Sequence, residues 1–351
     1  MDRRKVFPRE LVIHLTETCP LECSHCCVES NSSKTKALKN NEVLKIIGEA
    51  KSTNVFEKVC FVGGEPFLEY RTLTDSISFA SKMNMSTSVT TSAYWAKTPS
   101  ISYSKLSKLT EAGLQELCIS FDDYHMEYVS LQYIINACYE SIKLGLKVIL
   151  SIVVEPNCLI DREYIERLLN KHPLLKKEVN LDITGVTTTG RAEAQNTENT
   201  LNDRAASKFN YSGPCMSALR QFSVYPNKEI VPCCGALPFN QMMSKGNINN
   251  SKLSDVIMDS FSDKLMKWIA FEGPMKLLAE IEISEFVDNE NIQLDGICSG
   301  CNLIYTNQGV FNKLIEYLES RNDELKVIEA ILDSVNMYQS PVLLSGKTND
   351  I

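Results

Sequence analysis

Two kinds of hydrophobic pattern alternate along the chain from residue 11 to residue 192. Short β-rich runs occur at Leu11–Thr16, Val59–Gly63, Thr87–Ser92, Glu116–Asp122, Lys147–Val154 and Val179–Val186. Between them lie stretches near 41–53, 69–84, 101–113, 126–145 and 160–172, with apolar residues three and four positions apart. That spacing gathers apolar side chains on one helical face, as with Val43, Ile46, Ile47 and Ala50. Strands alternating with helices predict a parallel sheet wound right-handedly, with helices packed outside. Six such units are too few for a closed eight-fold barrel. The expected fold is therefore α/β, a partial (β/α)6 barrel with ligands at the carboxyl ends of its strands.

The texture changes after Arg191. Polar residues such as Gln195, Asn196, Thr197 and Asn199 mark a linker over 193–210, so the barrel is expected over 1–192. A smaller cysteine-bearing unit over 211–310 should contain a hairpin at Tyr225-Pro226-Asn227-Lys228 and helices near 252–270 and 274–287. A last helix near 311–336 and a frayed tail complete the expected organisation to residue 351.

The composition narrows the function. With 44 acidic and 36 basic side chains, the net charge of −8 speaks against a broad nucleic-acid-binding face. Val148–Val154 is the longest apolar run and is too short to cross a bilayer, so no membrane association is expected. Arg3, Arg4 and Lys5 are followed by no signal-peptide core, which makes a cytoplasmic location the expectation. The segment before the first strand and the C-terminal helix and tail over 311–351 are expected to be too short for a separate peptide-recognition domain.

Thirteen cysteines in such a chain are not expected to form a disulfide framework, and clustered ones suggest metal ligands or catalytic thiols. They group as Cys19, Cys23, Cys26 and Cys27, then Cys215, Cys233 and Cys234, then Cys298 and Cys301. Cys60, Cys118, Cys138 and Cys158 are isolated in apolar segments and read as core residues. Cys19-Pro-Leu-Glu-Cys23-Ser-His-Cys26 follows the first strand, at the ligand end. Three thiolates on one loop can hold three irons of a [4Fe–4S] cluster and leave the fourth iron open. Zinc would need a fourth ligand nearby, with Cys27 or His25 as the adjacent options.

This spacing resembles the radical S-adenosylmethionine (SAM) superfamily. Gly63-Gly64-Glu65-Pro66 at the end of the second strand is similar to that family's segment for the methionine end of SAM. The resemblance implies that the glycines let backbone approach the ligand and that Glu65 suits its ammonium. Ser120 and Asp122, in Ile119-Ser120-Phe121-Asp122, match the stretch that contacts the ribose. His25 stands where the family has a residue beside the adenine, and Gly190-Arg191-Ala192 is a familiar element after the sixth strand. Two features depart from the pattern: Thr90-Thr91-Ser92-Ala93 replaces a common Thr-Asn-Gly, and Cys27 is extra.

Cys215, Cys233, Cys298 and Cys301 could ligate one auxiliary [4Fe–4S] cluster, or a structural zinc ion. In the family setting they resemble the twitch domain, a shortened form of the SPASM domain, known also from an aminoglycoside-pathway dehydrogenase. If Cys233 binds the cluster, alternation along an extended segment leaves Cys234 free to face a cavity. The two cysteine doublets, the Ser120–His125 stretch and Cys298-Ser-Gly-Cys301 resemble YydG-type radical SAM peptide epimerases, in which a cysteine returns a hydrogen to the substrate Cα. No carboxylate lies between Cys215 and the doublet, where such epimerases carry one; Arg220 is there instead. Arg220 and His125 have either local structural or cavity roles. The resemblance implies an enzyme that uses SAM and a one-electron donor, such as flavodoxin or ferredoxin, and acts on a ribosomally synthesised peptide. Alternatives are a maturase forming thioether or C–C crosslinks, a small-molecule dehydrogenase, an iron–sulfur electron carrier and a zinc-stapled binding module.

Overall fold

The computed structural model describes residues 10–195, 213–283 and 294–337. Its first half alternates strand and helix as the pattern predicts. β1 (Glu10–His14), α1 (Asn40–Ser52), β2 (Lys58–Val62), α2 (Tyr70–Lys82), β3 (Ser86–Thr91), α3 (Pro99–Ala112) and β4 (Glu116–Ser120) come first. A single turn α4 (Asp123–Met126), then α5 (Leu131–Lys143), β5 (Lys147–Val154), α6 (Arg162–Asn170), α7 (Pro173–Glu178) and β6 (Val179–Gly185) follow. The helices start where side chains can accept their free N–H groups. Thr98 caps α3 ahead of Pro99, Ser130 caps α5 and Asp161 caps α6.

β1 to β6 are parallel and lie in order along the sheet. Alternation along the strands divides their side chains between two environments. Leu11, Ile13, Val59, Phe61, Val89, Leu117 and Ile119 are buried in the core that the outer helices share. The opposite face carries small or polar residues such as Cys60, Ser88, Thr90, Cys118 and Ser120. Of the four isolated cysteines, Cys138 is buried as expected, whereas Cys60, Cys118 and Cys158 are only partly so. Cys60 and Cys118 lie on this inner face of an open barrel, which leaves them less enclosed than a helix-facing position.

The sheet does not stop at the barrel. β7 (Gln221–Val224) pairs in parallel with β1, from Glu10↔Gln221 to Ile13↔Val224. β8 (Glu229–Val231) returns antiparallel through the expected hairpin, and β9 (Gly246–Asn247) completes a nine-stranded sheet. An open six-strand arrangement leaves one side of β1 unpaired, and β7 satisfies it. Most of the linker expected over 193–210 lies outside the described residues.

The later helices are more broken than their hydrophobic pattern suggests. The stretch read as one helix over 252–270 is two, Leu253–Ser262 and Lys264–Phe271, because Asp263 adopts an extended conformation and caps the second through Met266 N. The expected helix at 274–287 is Pro274–Ala279, and residues beyond 283 lie outside the described set. The last helix is also two, Gln308–Ser320 and Asn322–Met337. A further helix, Ile297–Thr306, carries Cys298 and Cys301. These helices enclose a second core that includes Leu265, Trp268, Ile304 and Leu314.

Candidate active site

A cavity of about 450 Å³ opens at the carboxyl ends of the parallel strands. Cys19, Cys23, Cys26 and Cys27 line it, on the loop that leaves β1. Backbone bonds shape this loop: Cys19 N donates to Asn31 O (3.0 Å) and Cys26 N to Cys23 O (3.1 Å). Arg191 holds it from across the barrel, with Nε donating to Cys23 O (2.9 Å) and Nη1 to Ser30 O (2.8 Å). Its backbone N–H also reaches Cys26 O. Gly190, at φ +57°, allows this approach, since a Cβ there would lie 2.5 Å from Cys26 O.

Gly63 and Gly64 line the cavity and let two segments meet. A Cβ on Gly64 would lie 2.1 Å from Thr18 O, and Gly64 N instead donates to Thr16 O at 2.7 Å. Glu65 and Pro66 are not among the cavity-lining residues. The Glu65 carboxylate is fully buried and takes bonds from Phe67 N (3.1 Å), Thr91 Oγ1 (2.8 Å), Ser92 N (3.0 Å) and Ser92 Oγ (2.6 Å). Burial raises its pKa, against the lowering effect of those bonds. Rather than facing a ligand ammonium, Glu65 fixes the end of β3, where Thr91 and Ser92 line the cavity.

Ser120 and Asp122 line the wall below β4. Asp122 caps α4 through His125 N (3.0 Å), and its Oδ1 lies 2.7 Å from His125 Nδ1. His25 Nε2 lies 3.7 Å from the other oxygen, and the His25 ring stacks on Tyr124 at 4.3 Å. Burial pushes Asp122 upward, but the His125 bond and the two imidazoles more than offset it, so its pKa falls below the ordinary carboxylate range. His125 therefore both hydrogen-bonds locally and lines the cavity.

Among the described residues, buried polar atoms of the cavity lining that make no hydrogen bond to protein include Asp122 Oδ2, an acceptor 3.7 Å from His25 Nε2, and Arg191 Nη2, a donor. They suit a ligand that carries both hydroxyl and carboxylate groups. The thiols suit a polynuclear cluster. Around one zinc ion, with sulfurs at about 2.3 Å, thiolates lie roughly 4 Å apart. Among the described residues, no three cysteines bring their sulfurs within 4.8 Å of one another. Burial pushes Cys19 up to about 12 and Cys23 higher still. A bound metal reverses that, because a coordinating thiol is deprotonated outright.

Cys215, Cys233, Cys234, Cys298 and Cys301 surround a second, smaller cavity of about 30 Å³. Segments far apart in sequence converge there. Cys215 N donates to Ile269 O (3.0 Å), while Gly235 N approaches Cys233 Sγ at 3.4 Å. Asp295, 5% exposed, accepts from both Thr188 N (2.8 Å) and Thr188 Oγ1 (2.6 Å), tying the Cys298 segment to the end of β6. Ala236 and Cys298 line both cavities, so the two share a wall. Cys27 is held at about 12, first by burial and then by the neighbouring Cys26 and Cys234. Cys234 is thus a thiol of the second set within electrostatic reach of Cys27. It borders the smaller cavity and is not among the residues lining the larger one.

The sequence pattern did not single out His14. It ends β1, is 5% exposed and stacks on Tyr225 at 4.5 Å. A Cβ on Gly235 would lie 2.4 Å from its Nε2, which has no hydrogen-bond partner. Burial lowers its pKa to about 4. Ser151, Val153, Thr184 and Thr187 also line the main cavity. Only their place at or just beyond strand ends could have nominated them.

Residues 13–136 match the family model of the Radical SAM superfamily. The chain is 20% identical over 332 residues to YydG of Bacillus subtilis (strain 168), whose name assigns it to peptide biosynthesis; the match covers 92% of this chain and 100% of that protein. It is 30% identical over 121 residues to the PqqA peptide cyclase of Granulibacter bethesdensis (strain ATCC BAA-1260 / CGDNIH1), covering 34% of this chain and 30% of the cyclase. Among solved structures, BtrN in complex with AdoMet and 2-DOIA aligns with a TM-score of 0.46 at 13% identity, over 84% of this chain and 98% of that one. No described helix is long and apolar enough to cross a membrane.

Proposed function

We propose that this chain, a radical SAM enzyme by its matched domain, epimerises residues of a ribosomally synthesised peptide with Cys234 as hydrogen donor. Cys19, Cys23 and Cys26 would hold the SAM-binding [4Fe–4S] cluster. Gly63 and Gly64 would admit the methionine end of SAM, with Arg191 Nη2 as an open donor. Ser120 and Asp122 would take the ribose hydroxyls, with His25 beside the adenine. Bound together, SAM and the cluster supply a 5′-deoxyadenosyl radical that abstracts hydrogen, here from a peptide Cα. The barrel shields that chemistry from water and sets its geometry.

The observation that carries the epimerase reading is the convergence of five thiols on the smaller cavity. Cys215, Cys233, Cys298 and Cys301 fill the four ligand places of an auxiliary [4Fe–4S] cluster. That leaves Cys234, which borders the smaller cavity, whose wall with the main cavity is shared through Ala236 and Cys298. When Cys234 donates, its S–H bond breaks and a Cα–H bond forms on the opposite face of the substrate. One electron and one proton then restore the thiol, the electron coming from a flavodoxin- or ferredoxin-class donor. The full-length likeness to YydG supports peptide chemistry.

An anaerobic reaction in D₂O with reconstituted enzyme, SAM, dithionite and the small peptide encoded beside its gene tests this reading. Epimerisation adds one deuterium per modified residue, and Cys234→Ala abolishes that gain while 5′-deoxyadenosine still forms. The partial match to a PqqA peptide cyclase favours a second reading, a crosslinking maturase. A peptide that loses two hydrogens instead would overturn epimerisation in favour of crosslinking or dehydrogenation.

A further inference from the structure

Among the described residues, one side of the sheet ends at β6, whose only strand partner there is β5. Their register runs unbroken from Val148↔Val179 to Val154↔Gly185, and just beyond it Val186 N donates to Val154 O at 3.1 Å. Along a strand, successive residues turn their N–H and C=O groups to opposite sides. Val186, Thr184, Asp182 and Asn180 therefore face β5, while Leu181, Ile183 and Gly185 face outward. Among the described residues, no hydrogen bond reaches the backbone of those three.

Such edges are normally blunted by Lys, Pro, a bulge or brevity. This one is seven residues long, without Lys or Pro, and leaves Leu181 37% exposed. It also leads into the active site, since Thr184 and Gly185 line the main cavity. Ile183 lies two residue rises, about 7 Å, upstream of Gly185. Val179 and Ile183 pack against the outer core. Asn180, Asp182 and Thr184 lie on the inner face.

We propose that β6 is the docking strand for the substrate: an extended peptide segment adds to the sheet as a tenth strand and is thereby aimed into the cavity. This rests on the peptide reading above. Main-chain bonds to Leu181, Ile183 and Gly185 supply affinity, and the two faces of β6 select side chains. The favoured segment alternates apolar residues, beside Leu181 and Ile183, with polar ones, beside Asn180 and Asp182. Asp182 favours a basic residue across from it.

The experiment scans single N-methyl groups along the precursor peptide encoded beside the gene, using the native holoenzyme. Methylating an amide that bonds to β6 should raise KM roughly tenfold, one hydrogen bond's worth, and the next position should not respond, giving a period of two. In the enzyme, Ile183→Pro removes one outward N–H without touching the β5 ladder, and should raise KM similarly while iron content shows that the variant is folded. Peptide that is still modified, with no period-two response, would overturn the docking and leave the peptide reading standing. A wild-type enzyme that neither binds nor modifies the peptide would remove both. Loss of a dimer in Ile183→Pro with unchanged KM would assign the edge to a second copy of this chain and overturn the proposal.

Discussion

The two cysteine sets differ in how their geometry is made. The first lies within one loop, from Cys19 to Cys26, on the segment that leaves a central strand. Its shape comes largely from bonds inside the loop, with Gly63 and Gly64 pressing on it from the end of neighbouring β2 and Arg191 holding it from across the barrel. The second set is drawn from three places in the chain, at Cys215, at Cys233 and Cys234, and at Cys298 and Cys301. Its geometry exists only once the second core and the Asp295–Thr188 contact have formed. A local site carries its own frame, whereas a dispersed one borrows the stability of everything that brings its parts together.

The sharpest way to break this contrast is at the first loop. Gly64→Ala places a methyl group against Thr18 O, a backbone atom that cannot swing away. SAM cleavage should fall about 10²-fold, the usual effect of misplacing a reacting group by about 1 Å. The readout is 5′-deoxyadenosine formed by reconstituted enzyme with its iron content unchanged. A rate equal to wild type would show that the close approach does not matter.

A smaller effect is expected at the second set. Asp295→Ala removes a buried acceptor and strands the Thr188 donors, at a cost of about 1–3 kcal/mol. If the second set holds the proposed auxiliary cluster, its iron should then be lost during desalting while SAM cleavage at the first set continues. Equal loss from both would mean that the two sets are not independent. The smallest effect separates them by pH. His14, held near 4 by burial, stays neutral when folded while the unfolded chain takes up a proton below its ordinary value of 6.5. Stability therefore falls as pH falls, by about 1.5 kcal/mol between pH 6.5 and pH 5. Denaturant titrations at the two values should show that component in wild type and not in His14→Gln.

What could be read in advance divides along the same line. Strand and helix order, the buried face of α1 and the cysteine loop were legible because each is written in residues close together. Glu65 was legible as a motif member but not in its direction, since Thr91 and Ser92 claim its oxygens from another strand. His14 gave no signal, because its partners Tyr225 and Gly235 follow more than 200 residues later. The helix breaks at Asp263 and Arg321 were hidden by apolar periodicity that continues across them, although an Asp able to cap was in view at the first.

The pairing of β7 with β1 bears on how this chain could be remodelled. β1 runs between both halves: its carboxyl end launches the first cysteine loop, while its side supports the hairpin leading to Cys233. The second half is therefore not a module that can be cut off or grafted between relatives at the change of sequence texture. A piece ending before β7 would bare the flank of β1, and a piece beginning there would lack the template on which its first strand forms. Recombination that respects this architecture would have to carry β1 and β7 together, as one inherited unit.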